Sequence, residues 1–224
     1  MPLTGVPEVR PGDDLAAFLG DAVERVGGVE HGDVLVVAHK VVSKAEGRIG
    51  ADEDHLALVL AEARTVRRRR HDLVIAETAH GFVCASAGID RSNATGEAEA
   101  VLLPLDPDAS ARALRRALAE RFGVAPAVIV SDSFGRAWRT GTTDVAIGVA
   151  GMGPLLDLRG RPDTRGRPLE GTVIAVADEL AGAAELVKGK TEGVPAALIR
   201  GYAVPAGEGS ARELVMPRER DLFP

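Results

Sequence analysis

A short apolar run near the middle of the chain constrains the fold more than any other feature of the sequence. Residues 128–130 are all β-branched and lie between Pro126 and Ser131, so they predict a buried strand. A second, near-continuous apolar run, Val34–Ala38, predicts another buried strand. Charged and hydroxyl-bearing side chains follow both runs directly. The sequence therefore predicts a sheet whose functional residues lie where its strands end.

A triplet of metal-binding residue types follows the central run. Ser131, Asp132 and Ser133 place two hydroxyls around a carboxylate, where α/β proteins commonly hold a metal ion and its phosphates. Arg136 and Arg139 follow in what the pattern predicts to be one short loop, and their guanidinium groups suit a polyanion. The alternative is a turn in which Asp132 only caps local backbone amides, and both interpretations stay open.

Lysines near the strand ends form a second group of candidates. Lys40 and Lys44 are four residues apart, so on a helix they share one face and both reach a triphosphate. The alternative is a pair of solvated surface lysines. Lys188 and Lys190 stand at the start of the glycine-bracketed loop 189–193, but the GxxxxGK[ST] spacing of a phosphate-binding loop is absent.

One further loop combines metal-binding and nucleotide-binding residue types. Asp90 and Asn93 lie three residues apart, after Gly88. A carboxylate and a carboxamide at this spacing suit metal and nucleotide contacts. They equally suit an ordinary Asx turn, and the sequence does not separate the two.

The composition argues against several classes of partner and compartment. A net charge of −6 over 224 residues argues against a nucleic-acid or anionic-membrane surface, and 3% aromatic residues leave few stacking platforms for single strands. The single cysteine, Cys84, forms neither an intrachain disulfide nor a thiolate zinc site, which predicts a buried, inert thiol and a cytoplasmic setting. We see no secretory signal and no apolar run long enough to span a bilayer.

The overall pattern predicts an α+β fold, with mixed sheets and flanking helices, in one domain over residues 1–224 that contains two subdomains. A hairpin is predicted for residues 73–86. The four arginines at 67–70 are expected to end a helix, where they suit its macrodipole. The periodicity and capping residues predict helices over residues 15–26, 52–70, 108–121 and 178–188, and further strands over residues 173–177 and 196–200.

Six runs of the sequence, taken in order, resemble the coenzyme F-420-0 gamma-glutamyl ligase family, including the N-terminal domain of its two-domain actinobacterial versions. Each run alone is weak, but six in order argue against chance. They cover most of the chain. The runs are Pro7-Glu8 with PGDD (11–14), HKVVSKAEGR (39–48), AGIDRSN (87–93), SDSFGRAWRTG (131–141), ADELAGAAELVKGK (177–190) and GVPAALIRGY (193–202).

The resemblance implies a reaction and its substrates. Members of the family add L-glutamate to the lactyl carboxylate of F-420-0, and then further glutamates through gamma links, by way of an acyl phosphate. GTP is the co-substrate, Mg²⁺ or Mn²⁺ is the metal, and K⁺ is a further candidate cation. The resemblance also implies an intertwined homodimer.

Roles carry over to individual residues only through this resemblance. Asp90 and Asp132 match metal ligands, and Ser133 matches a position that contacts a second metal. Lys44, Asp132 and Arg136 are the candidate catalytic residues. The candidate nucleotide-contacting residues are Val6, Pro7, Glu8, Val9, His39, Lys40, Lys44, Asn93, Lys188, Gly189, Lys190, Thr191, Glu192 and Gly193.

Two positions depart from the family's pattern. His39 stands where serine is common, and Lys190 stands where some members carry glutamine. Because an ammonium group cannot ligate a metal, we expect Lys190 to contact a GTP phosphate instead.

Two other classes of protein remain as alternatives. One is a metal-dependent phosphohydrolase that uses the same aspartates to activate water, and the other is a non-catalytic nucleotide-binding module. Release of GDP separates them, because the ligase needs glutamate and F-420-0, the hydrolase needs neither, and the module releases nothing.

Overall fold

The structure is a computed structural model that describes residues 1–92, 96 and 98–222. The helices are α1 (Leu15–Arg25), α2 (His39–Ala45), α3 (His55–Glu62), α4 (Pro107–Phe122) and α5 (Val176–Lys188), with short 3₁₀ turns at Ser86–Gly88, Ala211–Leu214 and Arg218–Arg220. The strands are β1 (Val34–Ala38), β2 (Ile49–Ala51), β3 (Ala63–Arg70), β4 (Leu73–Thr78), β5 (Val83–Ala85), β6 (Glu99–Val101), β7 (Ala127–Arg136), β8 (Arg139–Ala150), β9 (Leu156–Asp157), β10 (Val173–Ile174) and β11 (Ala196–Ile199).

The two apolar runs form the centre of a four-stranded mixed sheet. Its strand order is β11-β1-β7-β8, and β1 pairs in parallel with β7 while the other pairings are antiparallel. Ala38 pairs with Ser131 at the last position of this parallel ladder. Parallel strands end at the same edge, so the residues after Ala38 lie beside the residues after Ser131. The predicted α+β class is confirmed.

The outer edge of β8 is closed by carboxylates rather than by another strand. Unpaired N–H groups on an edge strand invite pairing with another chain, and side chains from neighbouring helices remove that hazard here. The three bonds run from Asp144 N–H to Glu185 Oε2 (2.8 Å), from Ala146 N–H to Asp178 Oδ1 (2.9 Å) and from Val149 N–H to Asp108 Oδ1 (2.8 Å). Helices α4 and α5 are thereby fixed to the sheet.

Smaller sheets surround this core. β3, β4 and β5 form one antiparallel sheet, and β2 with β6 and β9 with β10 form two-stranded ladders. The β4–β5 hairpin confirms the hairpin predicted for residues 73–86. A second, smaller apolar cluster packs beneath the three-stranded sheet and includes Val59, Val74, Ile89 and Leu102.

The helix predicted over residues 52–70 is wrong in its second half. Helix α3 ends at Glu62, and residues 63–70 form β3, which pairs with β4 through two register shifts. The arginines therefore alternate across a strand instead of ending a helix. Arg67 reaches the buried Glu77 on β4 at 2.8 Å, a cross-strand contact that local helical periodicity does not reveal.

The loop predicted after Ser133 is also wrong. β7 continues to Arg136 and β8 begins at Arg139, so only Ala137 and Trp138 form the turn. The polar residues that suggested the end of a strand continue it, because their side chains find partners across the hairpin. Residues 135–142 are exposed and form an arm that extends beyond the sheet.

The remaining helices agree with their capping residues. Asp14 caps α1, and Gly123 ends α4 in the left-handed conformation, with φ of 70°. Helix α4 begins one residue before the predicted Asp108, with Asp106 as its cap. The predicted strand over residues 173–177 is shorter, because α5 starts at Val176. None of the described helices is long and apolar enough to cross a membrane.

Candidate active site

A cavity of about 540 Å³ lies at the carboxyl end of β1, between the N-terminal segment, α2 and the loop after α5. We call it the lysine cavity. Most of the predicted nucleotide-contacting residues line it, namely Val6, Pro7, Glu8, Val9, Lys40, Lys44, Lys188, Gly189, Lys190, Thr191 and Gly193. The structure thus brings together segments far apart in sequence.

Three predicted contacts fall elsewhere. His39 is buried beside the cavity, with 1% of its surface exposed, and does not line it. Glu192 turns back on its own loop and accepts hydrogen bonds from the backbone and hydroxyl of Thr191. Asn93 lies outside the described residues.

Every lysine in the chain lines this one cavity. The sequence contains only four lysines among 27 basic residues, and all the others are arginines. Each lysine is held by a carboxylate: Lys40 by Asp90 (2.7 Å), Lys44 by Glu8 (2.5 Å), Lys188 by Asp144 (2.7 Å) and Lys190 by Glu185 (2.7 Å). Compact ammonium charges on an otherwise acidic protein favour a phosphate ligand.

Helix α2 arranges two of these lysines as the sequence predicts. Lys40 and Lys44 lie one turn apart on α2, and both face the cavity. Lys44 is only 4% exposed, so it is not a solvated surface lysine. Its ion pair with Glu8 ties α2 to the N-terminal segment that forms the opposite wall.

Asp144 on β8 is the central acceptor of the cavity floor, and the sequence reasoning missed it. Ser131 Oγ and Lys188 Nζ donate to Asp144 Oδ2 at 2.9 and 2.7 Å, and Ser133 Oγ donates to Oδ1 at 2.6 Å. Lys188 Nζ also donates to Ser131 Oγ at 2.8 Å. The register places Asp144 directly opposite Ser133, so recognising the hairpin would have identified it.

Burial and charge act against each other in this cluster. Burial raises the pKa of Asp144, but the charge and hydrogen bond of Lys188, with further donors, outweigh it and hold the pKa well below its ordinary value. Burial lowers the pKa of Lys188 more than Asp144 raises it. The carboxylate therefore stays ionised throughout the physiological range.

Asp132 lies on the opposite face of β7 from Ser131 and Ser133, because strand side chains alternate. Its Oδ1 accepts a hydrogen bond from Ser133 N–H at 2.7 Å, the local cap that the sequence left open as an alternative. Oδ1 also lies 3.3 Å from Nε2 of His39. That buried nitrogen has no hydrogen-bond partner, since the contact lacks hydrogen-bond geometry, while Nδ1 bonds to Ser43 Oγ at 3.3 Å.

Cys84 lies near Asp132 on this face. Burial, together with the negative charge of Asp132, raises the pKa of the thiol to about 12. The prediction of a buried cysteine is confirmed, and a thiol with this pKa remains protonated and unreactive at neutral pH.

Asp90 forms the Asx turn that the sequence allowed, and its metal or nucleotide role stays a prediction. Ser92 N–H donates to Asp90 Oδ1 at 2.6 Å, which is an Asx turn, and Lys40 binds Oδ2. Burial raises the pKa of Asp90, but the hydrogen bonds and charge of Lys40 and Ser92 outweigh it, so the pKa is lowered. The carboxylate is therefore held ionised beside Lys40, which lines the lysine cavity.

Arg136 is not brought to the lysine cavity. It is exposed on the arm, where it donates to Thr140 O at 3.4 Å. The catalytic role expected from the resemblance therefore stays a prediction.

Around Asp132 only the carboxylate is a donor type that a hard divalent cation prefers. A carboxylate oxygen and a buried, unpartnered imidazole nitrogen face one another there. Within residues 1–92, 96 and 98–222, no group of three or more His, Cys, Asp or Glu side chains is arranged to hold a metal ion. A cation at Asp132 would complete its coordination with phosphate oxygens and water, as Mg²⁺ does in many nucleotide sites.

A second opening, the arginine cleft, has a volume of about 1050 Å³. Its walls combine aromatic side chains with guanidinium groups, and the residues are Arg64, Arg67, Arg68, Phe82, Phe134, Trp138 and Arg218, among others. Val145 and Ala146 line this cleft and directly follow Asp144, which lines the lysine cavity. The two openings are therefore neighbours across β8.

Comparison with known proteins identifies the chain. The sequence matches the family described as F420-0:Gamma-glutamyl ligase over residues 5–54 and 48–201. A coenzyme F420:L-glutamate ligase of Methanothermobacter thermautotrophicus is 44% identical, over 98% of this chain and 96% of that protein. The ligase of the same name from Methanopyrus kandleri is 42% identical, over 96% and 93%, and that of Methanocaldococcus jannaschii is 38% identical, over 87% and 86%.

These matches show that the protein is a ligase. The chain belongs to the F420-0:gamma-glutamyl ligase family.

Proposed function

We propose that this protein is the GTP-dependent ligase that joins L-glutamate to the lactyl carboxylate of coenzyme F-420-0 and then extends the product by gamma-linked glutamates. The reaction belongs to coenzyme F-420 biosynthesis. Membership of the family and the names of the relatives support the substrate. The observation that supports a polyphosphate co-substrate is that all four lysines of the chain line one cavity.

The lysine cavity suits a nucleoside triphosphate in both size and charge. Its volume of about 540 Å³ lies within the range of small-molecule sites. We assign the phosphates to Lys40 and Lys44, and the remaining contacts to the backbone of the N-terminal segment. Glu8 and Asp90 hold these two lysines in place before the nucleotide binds, so little side-chain entropy is lost on binding.

The chemistry requires activation of a carboxylate. A carboxylate does not react with an amine until one of its oxygens becomes a leaving group, and transfer of the GTP γ-phosphoryl group makes it an acyl phosphate. Lys44 stabilises the charge on the transferring phosphoryl group, and the buried cluster around Asp144 keeps the cavity floor rigid. Such a reaction needs no protein nucleophile, which agrees with the protonated thiol of Cys84.

We assign the divalent cation to Asp132 and Asp90, with His39 beside Asp132. Mg²⁺ or Mn²⁺ bound there supplies charge neutralisation for the β- and γ-phosphates. His39 lies 3.3 Å from Asp132, and Lys40, which lines the lysine cavity, is paired with Asp90 at 2.7 Å. A cation that replaced Lys40 at Asp90 would free the ammonium group of Lys40 to bind a phosphate.

We assign the acceptor to the arginine cleft. Its aromatic side chains suit the flat deazaflavin ring of F-420-0, and its guanidinium groups suit an anionic substrate. Because the cleft adjoins the lysine cavity across β8, the acceptor and the nucleotide lie in neighbouring openings.

GDP release tests the proposal against its rivals. Purified protein is incubated with GTP and Mg²⁺ or Mn²⁺, with and without L-glutamate and F-420-0, and GDP is measured by chromatography. The proposal predicts continued release only when both substrates are present, because F-420-0 without glutamate yields at most one GDP per active site through the acyl phosphate. Continued GDP release without them would identify a phosphohydrolase, and GTP binding with no release would identify a binding module.

We further propose that the enzyme acts as a homodimer in which the β7–β8 arm contacts the second copy. An isolated two-stranded ribbon is only marginally stable in water, and residues 135–142 are exposed beyond the sheet. Light scattering after gel filtration should give twice the chain mass of 23.3 kDa. A species of the single-chain mass would contradict this assignment.

A further inference from the structure

The side chain of Lys190 is 54% exposed, and its ammonium group lies against three oxygen atoms. Its Nζ is 2.7 Å from Glu185 Oε1 and 3.3 Å from Asp144 Oδ1, and it donates to Ser133 Oγ. Two carboxylates and a hydroxyl are the donor types that hold hard cations in proteins. The chain itself therefore places a positive charge where an ion would otherwise bind.

The second metal that the resemblance implies at Ser133 does not fit these residues. The Ser133 hydroxyl already donates to Asp144 Oδ1 at 2.6 Å and accepts a hydrogen bond from Lys190. A divalent cation bonds to oxygen at about 2.0–2.2 Å, so at Ser133 it would overlap the ammonium group. Repulsion between the two positive charges would add to that overlap.

We propose that the Lys190 ammonium group takes the place of a second divalent cation, so that this chain binds one divalent cation where a neutral residue at 190 would allow two. This inference rests on the proposed function, because the remaining cation is the one assigned to Asp132 and Asp90. It makes Lys190 the residue that determines metal stoichiometry.

The backbone holds Lys190 in this position. Helix α5 ends at Lys188 and is capped by Gly189, whose φ of 63° and ψ of −167° are open only to glycine, and Lys190 follows at once. A Cβ at 189 would lie 2.1 Å from Glu192 Oε2. The tight turn therefore places Lys190 next to Glu185, which belongs to the last turn of the same helix.

Lys190 also keeps its charge. Burial lowers the pKa of Lys190, but the hydrogen bond and charge of Glu185 and the charge of Asp144 raise it further, so the group is protonated at neutral pH. An ammonium group at this position supplies one positive charge that does not depend on the metal concentration.

The test counts Mn²⁺ bound per chain by equilibrium dialysis at saturating GDP, using the full chain. We expect one Mn²⁺ in the wild type, two in Lys190→Gln and one in Lys190→Arg, which keeps the charge at the same position. Lys190→Ala serves as a second neutral variant, and circular dichroism confirms that each variant is folded. Equal Mn²⁺ counts in the wild type and both neutral variants would overturn the proposal, as would a gain in Lys190→Arg.

A combined variant separates this inference from the proposed function. Adding Asp132→Asn to Lys190→Gln should remove the wild-type Mn²⁺ and leave the gained one. If the wild type binds no Mn²⁺ while Lys190→Gln binds one, the assignment of a cation to Asp132 fails and the role of Lys190 stands. Loss of both ions in the combined variant would place the gained site at Asp132 and overturn the role of Lys190.

Discussion

The four lysines show how individual residues define the site. Arginine supplies every other basic side chain, although both residue types carry the same charge. Lysine presents a compact point charge with three donors, whereas arginine presents a planar fork suited to bidentate contacts. The four lysines meet in space from two segments of the chain, α2 and residues 188–190, and each is held by its own carboxylate. Of the four, Lys40 and Lys44 are the ones that the proposed function assigns to a phosphate ligand.

Replacing Lys44 by alanine should weaken GTP binding by about 10- to 150-fold, as expected for loss of a charge-assisted contact. Glutamate binding should change much less. Isothermal titration calorimetry with GTP measures the effect, and Arg165→Ala, at an exposed position, is the control for loss of one positive charge. Equal GTP affinities in the wild type and Lys44→Ala would leave Lys44 as a purely structural partner of Glu8.

Among the elements of secondary structure, β3 shows how a local sequence pattern can mislead. Leu56, Leu60, Ala63 and Val66 have helical spacing and predict one continuous helix, but the segment after Glu62 is a strand that pairs with β4. Pairing with a distant strand cannot be read from a local window. The hairpin over residues 73–86 and the capped helices were predictable, because turn and capping residues act locally. The sequence analysis missed Asp144 and ended β7 too early for the same reason. Both depend on contacts between β7 and β8, which a local window does not show.

Close contact between α4 and β8 predicts a position that tolerates only glycine. A Cβ on Gly148 would lie 2.3 Å from the carbonyl oxygen of Pro107, at the first residue of α4. Gly148→Ala should therefore lower the free energy of unfolding by about 1–3 kcal/mol, as overpacking does in other cores. Urea denaturation measures the loss. Gly135→Ala is the matched control on the same hairpin, since its added Cβ meets nothing within 4 Å, and comparable losses in both variants would refute the steric explanation.

Low pH should weaken the ion pair between Asp33, which precedes β1, and Arg200, which follows β11. Asp33 is 1% exposed, and Arg200 Nε and Nη2 donate to its two oxygens at 2.9 and 2.8 Å. Burial raises the pKa of Asp33, but Arg200 and the N–H of Glu30 outweigh it, so the pKa is lowered. A lowered pKa gives stability that is present above the ordinary value near 3.8 and is lost as the pH falls through the folded value.

The matching measurement compares the free energy of unfolding at about pH 6 and about pH 2.5. Asp33→Asn should be less stable than the wild type at the higher pH and should lose less stability on acidification. An acid loss of the same size in the variant and the wild type would show that Asp33 does not contribute to it.

At the scale of the whole molecule, the site joins parts of the chain that are distant in sequence. The N-terminal segment, α2, Asp144 and the loop after α5 meet because β1 and β7 pair in parallel and α5 packs on β8. The family resemblance and the residue types of these segments were enough to predict most of them as parts of the site. It could not show which face of β7 each side chain takes, so Asp132 and Ser133 were expected at one place although they lie on opposite faces. The occupation of Ser133 by Lys190 likewise appears only in three dimensions.

Mass-resolved turnover tests the central claim most directly. Protein is incubated with F-420-0, GTP, L-glutamate and Mn²⁺, and the products are separated by liquid chromatography and weighed by mass spectrometry. The account predicts species heavier than F-420-0 by one and then more glutamyl residues, with one GDP formed for each residue added and strongly reduced yield in Lys44→Ala. Unchanged F-420-0 in the presence of folded, GTP-bound wild-type protein would contradict it.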